Sequence, residues 1–340
     1  MAPHACGDDP GAAPPRALTQ MNLTVADDPW DGLDVLLHPG LHKTGTSWLQ
    51  RMLLAPHRGA PFLALADPLD AITAFVLPGE GAFDPAAARR ALSPLARAAR
   101  ASGQVPVISA EDLGGVPFQD RFTRGVVARR LVRAFPQAKV LLTIREQDAV
   151  ILSMYGQYVR YGHSASLEEL VTRVPPETGF VGVLDYAYYE YDRLADLYES
   201  LFAEVTLVPY ETIFADTQAF YDRLASLFGR TAPPLPGGAS RVNPAASRPA
   251  RAAARLVNRF HEPGLRAVRR PRLNPNAVAY QVDRLVPKRW RRAGAAKDRA
   301  LVRAHVGDAY AASNARLAKR LGLDLAALGY RTGAEDASIR

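Results

Sequence analysis

Asp34-Val35-Leu36-Leu37-His38-Pro39-Gly40-Leu41-His42-Lys43-Thr44-Gly45-Thr46-Ser47-Trp48-Leu49-Gln50 is the stretch from which the rest of the chain is read. A short apolar run enters a tight loop, and the loop enters a helix start. Two glycines, one lysine and three hydroxyl residues occupy the loop. Such a loop can turn several backbone N–H groups toward one point. A helix beginning just behind it adds the positive end of its dipole. Together these make a seat for an anion, most often a phosphate.

The spacing is near that of a Walker A loop and departs from it. Gly40 and Gly45 are separated by four residues, as in G-x-x-x-x-G-K-[ST]. Lys43, however, precedes the second glycine, and Thr46 stands where the Walker lysine would be. An upstream lysine reaches a different oxygen. The order H-K-T-G-T-S-W-L-Q resembles the 5′-phosphosulfate loop of sulfotransferases that use 3′-phosphoadenosine 5′-phosphosulfate (PAPS), in the bacterial branch that carries H-K-T-G-T. The closing segment, Ser313-Asn314…Leu317…Gly322-Leu323-Asp324-Leu325…Gly329-Tyr330, looks like the tail of that branch.

The resemblance implies a second anion site for the 3′-phosphate, built from an arginine at a strand end and a serine about two helical turns later. Arg145 and Ser153 match within Ile144-Arg145-Glu146-Gln147-Asp148-Ala149-Val150-Ile151-Leu152-Ser153. A fixed guanidinium grips a phosphate with two donors, and a serine hydroxyl adds a third. The pair follows the loop by about a hundred residues, as the resemblance requires. Arg241 and Asn243 lie where better-studied relatives carry a third, glycine-containing nucleotide loop, and this sequence departs from that pattern. Arg241 is carried as a candidate contact to the 3′-phosphate or adenine.

The resemblance further assigns roles. Lys43 faces the bridging and leaving-group oxygens, where negative charge grows during transfer. Thr44, Gly45, Thr46, Ser47 and Trp48 cradle the 5′-phosphate through backbone N–H groups and hydroxyls. A divalent metal is not required by this scheme, and neither D-x-D nor H-E-x-x-H occurs. The acceptor hydroxyl or amine needs a base, which relatives supply as histidine or glutamate. Glu111 is the first candidate and His42 its rival, with the suitable unperturbed histidine pKa. His38 and His163 are weaker candidates. Tyr155, Tyr158 and the tyrosines of 186–191 suit an acceptor pocket or a core equally.

The rest of the chain supplies the frame. Val105–Ser109, Lys139–Arg145 and Glu204–Pro209 read as further strands, with Phe62–Leu65 a short extended piece. The near-continuous apolar run Val140–Ile144 suits a parallel strand covered on both faces. Glu111 follows one strand and Arg145 ends another, so both fall at the carboxyl edge of the sheet, where open α/β folds hold ligands. Helices are expected over 47–54, 85–101, 120–134, 147–161, 186–202, 216–228 and 297–321. Alternating strands and helices give an α/β fold with a mostly parallel central sheet and helices on both faces, P-loop NTPase-like. Residues 1–30, rich in Ala, Pro, Gly and Asp, are expected to form a disordered tail. Residues 31–335 are expected to form a single sulfotransferase-like domain, with 250–335 its basic helical part.

Of 340 residues, 48% are apolar, which supports a sizeable core. The net charge of +8 favours an anionic partner. Residues 251–292 concentrate it, with twelve arginines and lysines against Glu262 and Asp283. The segment suits an anionic glycan, a lipid-linked sugar or a phospholipid surface in peripheral contact. Nucleic acid ranks below these, because no recognised motif accompanies the charge. The single cysteine, Cys6, rules out disulfides within the chain. No apolar run approaches the about 18 residues of a membrane span, and the N-terminus lacks an apolar signal region, so a cytoplasmic protein is expected.

The expected activity is transfer of a sulfuryl group from PAPS, leaving PAP, to a hydroxyl or amine of a glycan or small secondary metabolite. A P-loop kinase would need a lysine after Gly45 and magnesium ligands. A non-catalytic relative would keep only the basic surface.

Overall fold

The computed structural model describes residues 28–52, 59–117, 123–173, 183–235, 246–260 and 274–333. In chain order the elements are β1 (Leu36–Pro39), α1 (Thr46–Met52), β2 (Phe62–Ala64), α2 (Pro68–Phe75), α3 (Pro85–Ala91), α4 (Ser93–Ser102) and β3 (Val105–Ala110). They continue with α5 (Arg124–Ala134), β4 (Lys139–Ile144), α6 (Gln147–Arg160), α7 (Leu167–Val171), α8 (Tyr191–Glu199) and β5 (Val205–Pro209). The remaining helices are α9 (Tyr210–Ala215), α10 (Thr217–Ser226), α11 (Arg248–Asn258), α12 (Pro275–Leu285), α13 (Lys288–Val306) and α14 (Ala311–Leu321).

The five strands form one sheet in the order β2–β3–β1–β4–β5. Every neighbouring pair is parallel. Alternate side chains of each strand enter different cores. Leu36, Val107 and Leu141 join Trp48, Leu49, Ile213, Tyr221 and Leu224 on one face. Leu37, Ile108, Val140 and Leu142 meet Ala96, Leu131, Ile151 and Leu170 on the other, in a core that reaches Val302 and Leu317 of α13 and α14. Strands buried on both faces explain the unbroken apolar runs. The fold is the expected α/β one, a parallel central sheet with helices on both faces.

The helix starts follow local chemistry. Asp67 caps α2 with Pro68 behind it, Asp84 caps α3 ahead of Pro85, and Asn274 caps α12 ahead of Pro275. Each side-chain oxygen accepts from a first-turn N–H, and each proline occupies a position whose N–H would be idle.

Three expected helices are divided. The span 85–101 breaks between α3 and α4, because Pro94 has no N–H to continue a helix through Leu92. The span 186–202 begins as a 3₁₀ turn, Tyr186–Tyr189, before α8. The span 297–321 is the end of α13 and all of α14, parted at Gly307, whose φ of 50° closes the first helix. The basic helix expected over 120–134 begins at Arg124 in α5. Trp30, assigned above to the end of a loose tail, is core. It is buried, packs edge-on against Phe135 at 4.8 Å, and donates from Nε1 to the Arg89 carbonyl.

Candidate active site

The strand order defines where a ligand belongs. The chain leaves β1 toward β2 on one side and leaves β4 toward β5 on the other. The crevice between β1 and β4 is therefore the topological switch point, the preferred ligand position of open α/β sheets. The register brings the strand ends level. Pro39 pairs with Ala110, and Ile144 with Pro209. The Gly40–Gly45 loop, Glu111, Arg145 and Tyr210 thus all issue from one edge.

The loop is tightly held. Gly40 N–H donates to the Ala110 carbonyl at 3.1 Å. A Cβ on Gly40 would lie 2.5 Å from Thr46 Oγ1, and one on Gly114 would lie 2.5 Å from the Gly40 carbonyl. Only glycine permits both approaches. Gly45 has φ of 97°, and Lys43, at 67°, is the one non-glycine residue with positive φ among the described residues. A left-handed lysine is uncommon and costs about 1 kcal/mol or more, so its surroundings must hold it. Arg145 does so, donating from NH1 to the Lys43 carbonyl at 3.1 Å while its guanidinium lies 4.7 Å over the Tyr210 ring.

The loop leaves several donors without acceptors. Among the described residues, the N–H groups of Lys43, Gly45, Thr46 and Ser47 have no hydrogen-bond partner. Trp48 N–H differs from the expectation. It donates to the Gly45 carbonyl at 2.9 Å, closing the first turn, and its ring is buried against Phe214 at 4.7 Å. Ser47 is exposed, whereas Thr44 and Thr46 are buried. The Thr44 hydroxyl donates to the Leu41 carbonyl at 2.7 Å, and Thr46 Oγ1 lies 3.4 Å from that same carbonyl. These two threonine hydroxyls face the fold, because the loop must satisfy its own carbonyls once it is packed on the sheet.

Beneath the loop runs a directed chain of hydrogen bonds. Gln50 Nε2 donates to Ser109 Oγ at 3.0 Å, which leaves the serine proton for His38 Nδ1 at 2.8 Å. His38 Nε2 then donates to Thr143 Oγ1 at 3.4 Å, and Thr143 to Thr44 Oγ1 at 2.8 Å. Burial holds the His38 imidazole neutral, its pKa pushed down to about 4. His38 is a structural bridge between β1, β3 and β4. His163 stacks on Tyr158 at 4.3 Å, in a separate place.

Lys43 makes no hydrogen bond or ion pair through its ammonium among the described residues. Burial lowers its pKa, the Glu111 carboxylate opposes that, and the charges of Arg160 and Arg145 add to the lowering. The two rival bases are one unit. His42 Nδ1 lies 3.1 Å from Glu111 Oε2. The His42 side chain is 6% exposed and that of Glu111 25%, so the carboxylate is the accessible member. Burial would raise the Glu111 carboxyl, but the hydrogen bond from His42 and the charges of His42 and Lys43 outweigh it. It is held below its ordinary value and is ionised at neutral pH.

Ser153 is half-buried on α6 in a stripe with Ala149, Gly156 and Arg160, three to four residues apart and on one helical face. The charge of Arg160, at the end of this stripe, is felt at Lys43. A Cβ on Gly156 would meet nothing within 4 Å, which marks open space beside Ser153. Tyr155 and Tyr158 lie elsewhere on α6, buried in the core with Tyr188, Tyr189 and Tyr191. Arg241 and Asn243 lie outside the described residues. Sequence reasoning missed Tyr210, the platform under Arg145. Its signal was available, since it follows a strand of the sheet, as Glu111 and Arg145 do. A cavity of 600 Å³ lined by Ala60, Gln104 and Thr231 opens at the amino ends of β2 and β3, remote from these groups.

Among the described residues no three or more His, Cys, Asp or Glu side chains group as metal ligands, and no helix is long and apolar enough to cross a membrane. No family model matches the chain, and no curated protein matches it. Among solved structures the chain is similar to a crystal structure of a sulfotransferase from Alicyclobacillus acidocaldarius, at 18% identity over 67% of this chain and 96% of that one, with a TM-score of 0.44. A likeness at that score carries no weight for the chemistry, which rests on the residues themselves.

Proposed function

We propose that the protein transfers a sulfuryl group from PAPS to a hydroxyl or amine of an acceptor substrate. The observation that carries this reading is Lys43. Its ammonium is half-buried, lacks a partner among the described residues, and projects from a strained loop with four idle N–H groups. Donors left open in this way fit a multiply charged anion, and a phosphosulfate offers one at the switch point.

Each residue then has a task. The N–H groups of Gly45, Thr46 and Ser47 hold the 5′-phosphate, with the exposed Ser47 hydroxyl beside them. Arg145, braced on Tyr210, and Ser153 receive the 3′-phosphate. Lys43 neutralises the charge that collects on the leaving oxygen as the S–O bond to the 5′-phosphate breaks and the acceptor oxygen or nitrogen bonds to sulfur. Glu111 accepts the acceptor's proton, and His42 holds the carboxylate in place. Positioning and charge neutralisation supply most of the rate.

The test is thermal denaturation with PAP, compared with ATP and magnesium. A ligand at about a hundred times its dissociation constant stabilises by about 2.7 kcal/mol. Stabilisation by PAP, followed by transfer of labelled sulfate from PAPS to an acceptor, is expected. Stabilisation by magnesium-ATP alone would replace this reading with a kinase.

A further inference from the structure

The second cluster of cations lies in α11, α12 and the start of α13, away from the sheet edge. Large apolar side chains crowd the same stretch. Nine are exposed among the described residues, and five of them fall between Leu256 and Trp290. Phe260 is 80% exposed, Leu285 83% and Trp290 59%. The α12 helix has no buried residue at all. Tyr280, Arg284 and Leu285 share its exposed side at helical spacing, and Arg284 lies 6.0 Å over the Tyr280 ring.

The charges of this region break a local rule. The first five residues of α13 include Lys288, Arg289, Arg291 and Arg292 and no acidic residue. Cations at the positive end of a 19-residue helix are unfavourable on their own. Asp283 answers Arg291, at 2.5 Å, and the other three are exposed. On α11, Arg248, Arg251 and Arg255 line a cleft of 120 Å³ with Tyr155, Asp298 and Glu168. Asp298 is the ion-pair partner of Arg251 and Arg248, while Arg255 donates to the Ser164 carbonyl at 2.9 Å.

Exposed Trp, Tyr, Phe and Leu side chains set beside Arg284, Arg289 and Arg292, which have no ion-pair partner among the described residues, match one kind of partner: an anionic phospholipid surface. Apolar side chains enter the acyl boundary, amphipathic rings sit at headgroup level, and arginines meet the phosphates. A soluble polyanion would use the arginines and leave the apolar side chains in water. We propose that α11, α12 and the start of α13 dock this protein peripherally on anionic membranes. The proposal is independent of the chemistry at Lys43.

Trp290 reports on it directly. The chain has three tryptophans, and Trp30 and Trp48 are buried. Adding vesicles of phosphatidylglycerol and phosphatidylcholine should shift tryptophan emission to the blue. Brominated acyl chains should then quench it. Pure phosphatidylcholine vesicles should do neither, and added salt should reverse the binding. The triple variant R284Q/R289Q/R292Q should bind anionic vesicles about a hundredfold more weakly. F260S/L285S, at two solvent-exposed positions, should lose quenching while keeping its circular dichroism and its response to PAP. Equal binding to neutral vesicles would overturn the proposal, as would no binding to either. Binding of heparin with no blue shift or quenching on vesicles would replace the membrane with a soluble polyanion.

Discussion

Lys43 and Arg145 at the sheet edge and Lys288, Arg289 and Arg292 at the start of α13 are cations treated in opposite ways. The first pair is partly buried, one held by its backbone and the other braced on an aromatic ring. The second group stands in solvent on a helix end that repels it. Around the first, polar side chains are threaded into a directed network and the apolar ones are hidden. Around the second, apolar side chains are displayed. A preorganised cation has lost its mobility before a ligand arrives, so its field can act on one developing charge. A mobile cation on a surface answers to the sum of many charges and tolerates their rearrangement. Chemistry is expected at the first and docking at the second.

Substitutions can break that contrast. The largest effect is expected from Lys43→Ala. Turnover should fall by about a hundredfold or more, the size of losing one preorganised charge-stabilising group, in a protein that still melts cooperatively. Activity near that of the unaltered protein would remove Lys43 from the proposed mechanism. Glu111→Gln should lower turnover by about a hundredfold while keeping stabilisation by PAP. A larger loss in His42→Ala than in Glu111→Gln would exchange their roles. The pH profile sharpens the same point. With the Glu111 carboxyl held below its ordinary 4.5, activity should persist through pH 5 and fail only in stronger acid. An acid limb at the unperturbed histidine value of about 6.5 would put a histidine in that role.

The network beneath the loop predicts a pH effect on stability. Burial holds the folded pKa of His38 at about 4, against an ordinary histidine value of 6.5. The unfolded chain therefore binds the proton first. Stability is complete above pH 6.5 and declines as pH falls toward 4, by about 3 kcal/mol in all. His38→Gln should be less stable at pH 7 and should flatten that decline in urea titrations. An unchanged slope would mean that other groups dominate it. The smallest expected effect is from Gly114→Ala, which drives a Cβ into the Gly40 carbonyl. It should cost about 1–3 kcal/mol, read as a lower urea midpoint with unchanged slope.

The sheet was legible because parallel strands buried on both faces write unbroken apolar runs, as in Val140–Ile144. The glycine loop was legible because turns and close approaches admit few residue types. Glu111 and Arg145 could be found by one rule, that the residue after a strand of the sheet stands at the ligand edge, and Tyr210 answers to the same rule. The helix breaks at Leu92 and Gly307 follow from Pro94 and a glycine, signals that long arginine-rich runs obscure. The pairing of His42 with Glu111 was not legible. It depends on the β1–β3 register, and register is a property of two strands that neither states alone. The inward turn of the Thr44 hydroxyl is of the same kind, since it answers Thr143 on a strand far along the chain.

The level strand ends also bear on when the site comes into being. Its members follow β1, β3, β4 and β5, and β5 is an edge strand that pairs with β4 alone. Tyr210, under Arg145, arrives only with that last pairing. Parallel strands joined by long crossovers form slowly, since distant segments must meet before any bond rewards them. A chain still emerging from the ribosome can build the glycine loop long before the tyrosine platform exists. Grip on an anionic ligand should therefore appear late and all at once, and a ligand of this site would act as a chaperone for the final strand rather than for the first.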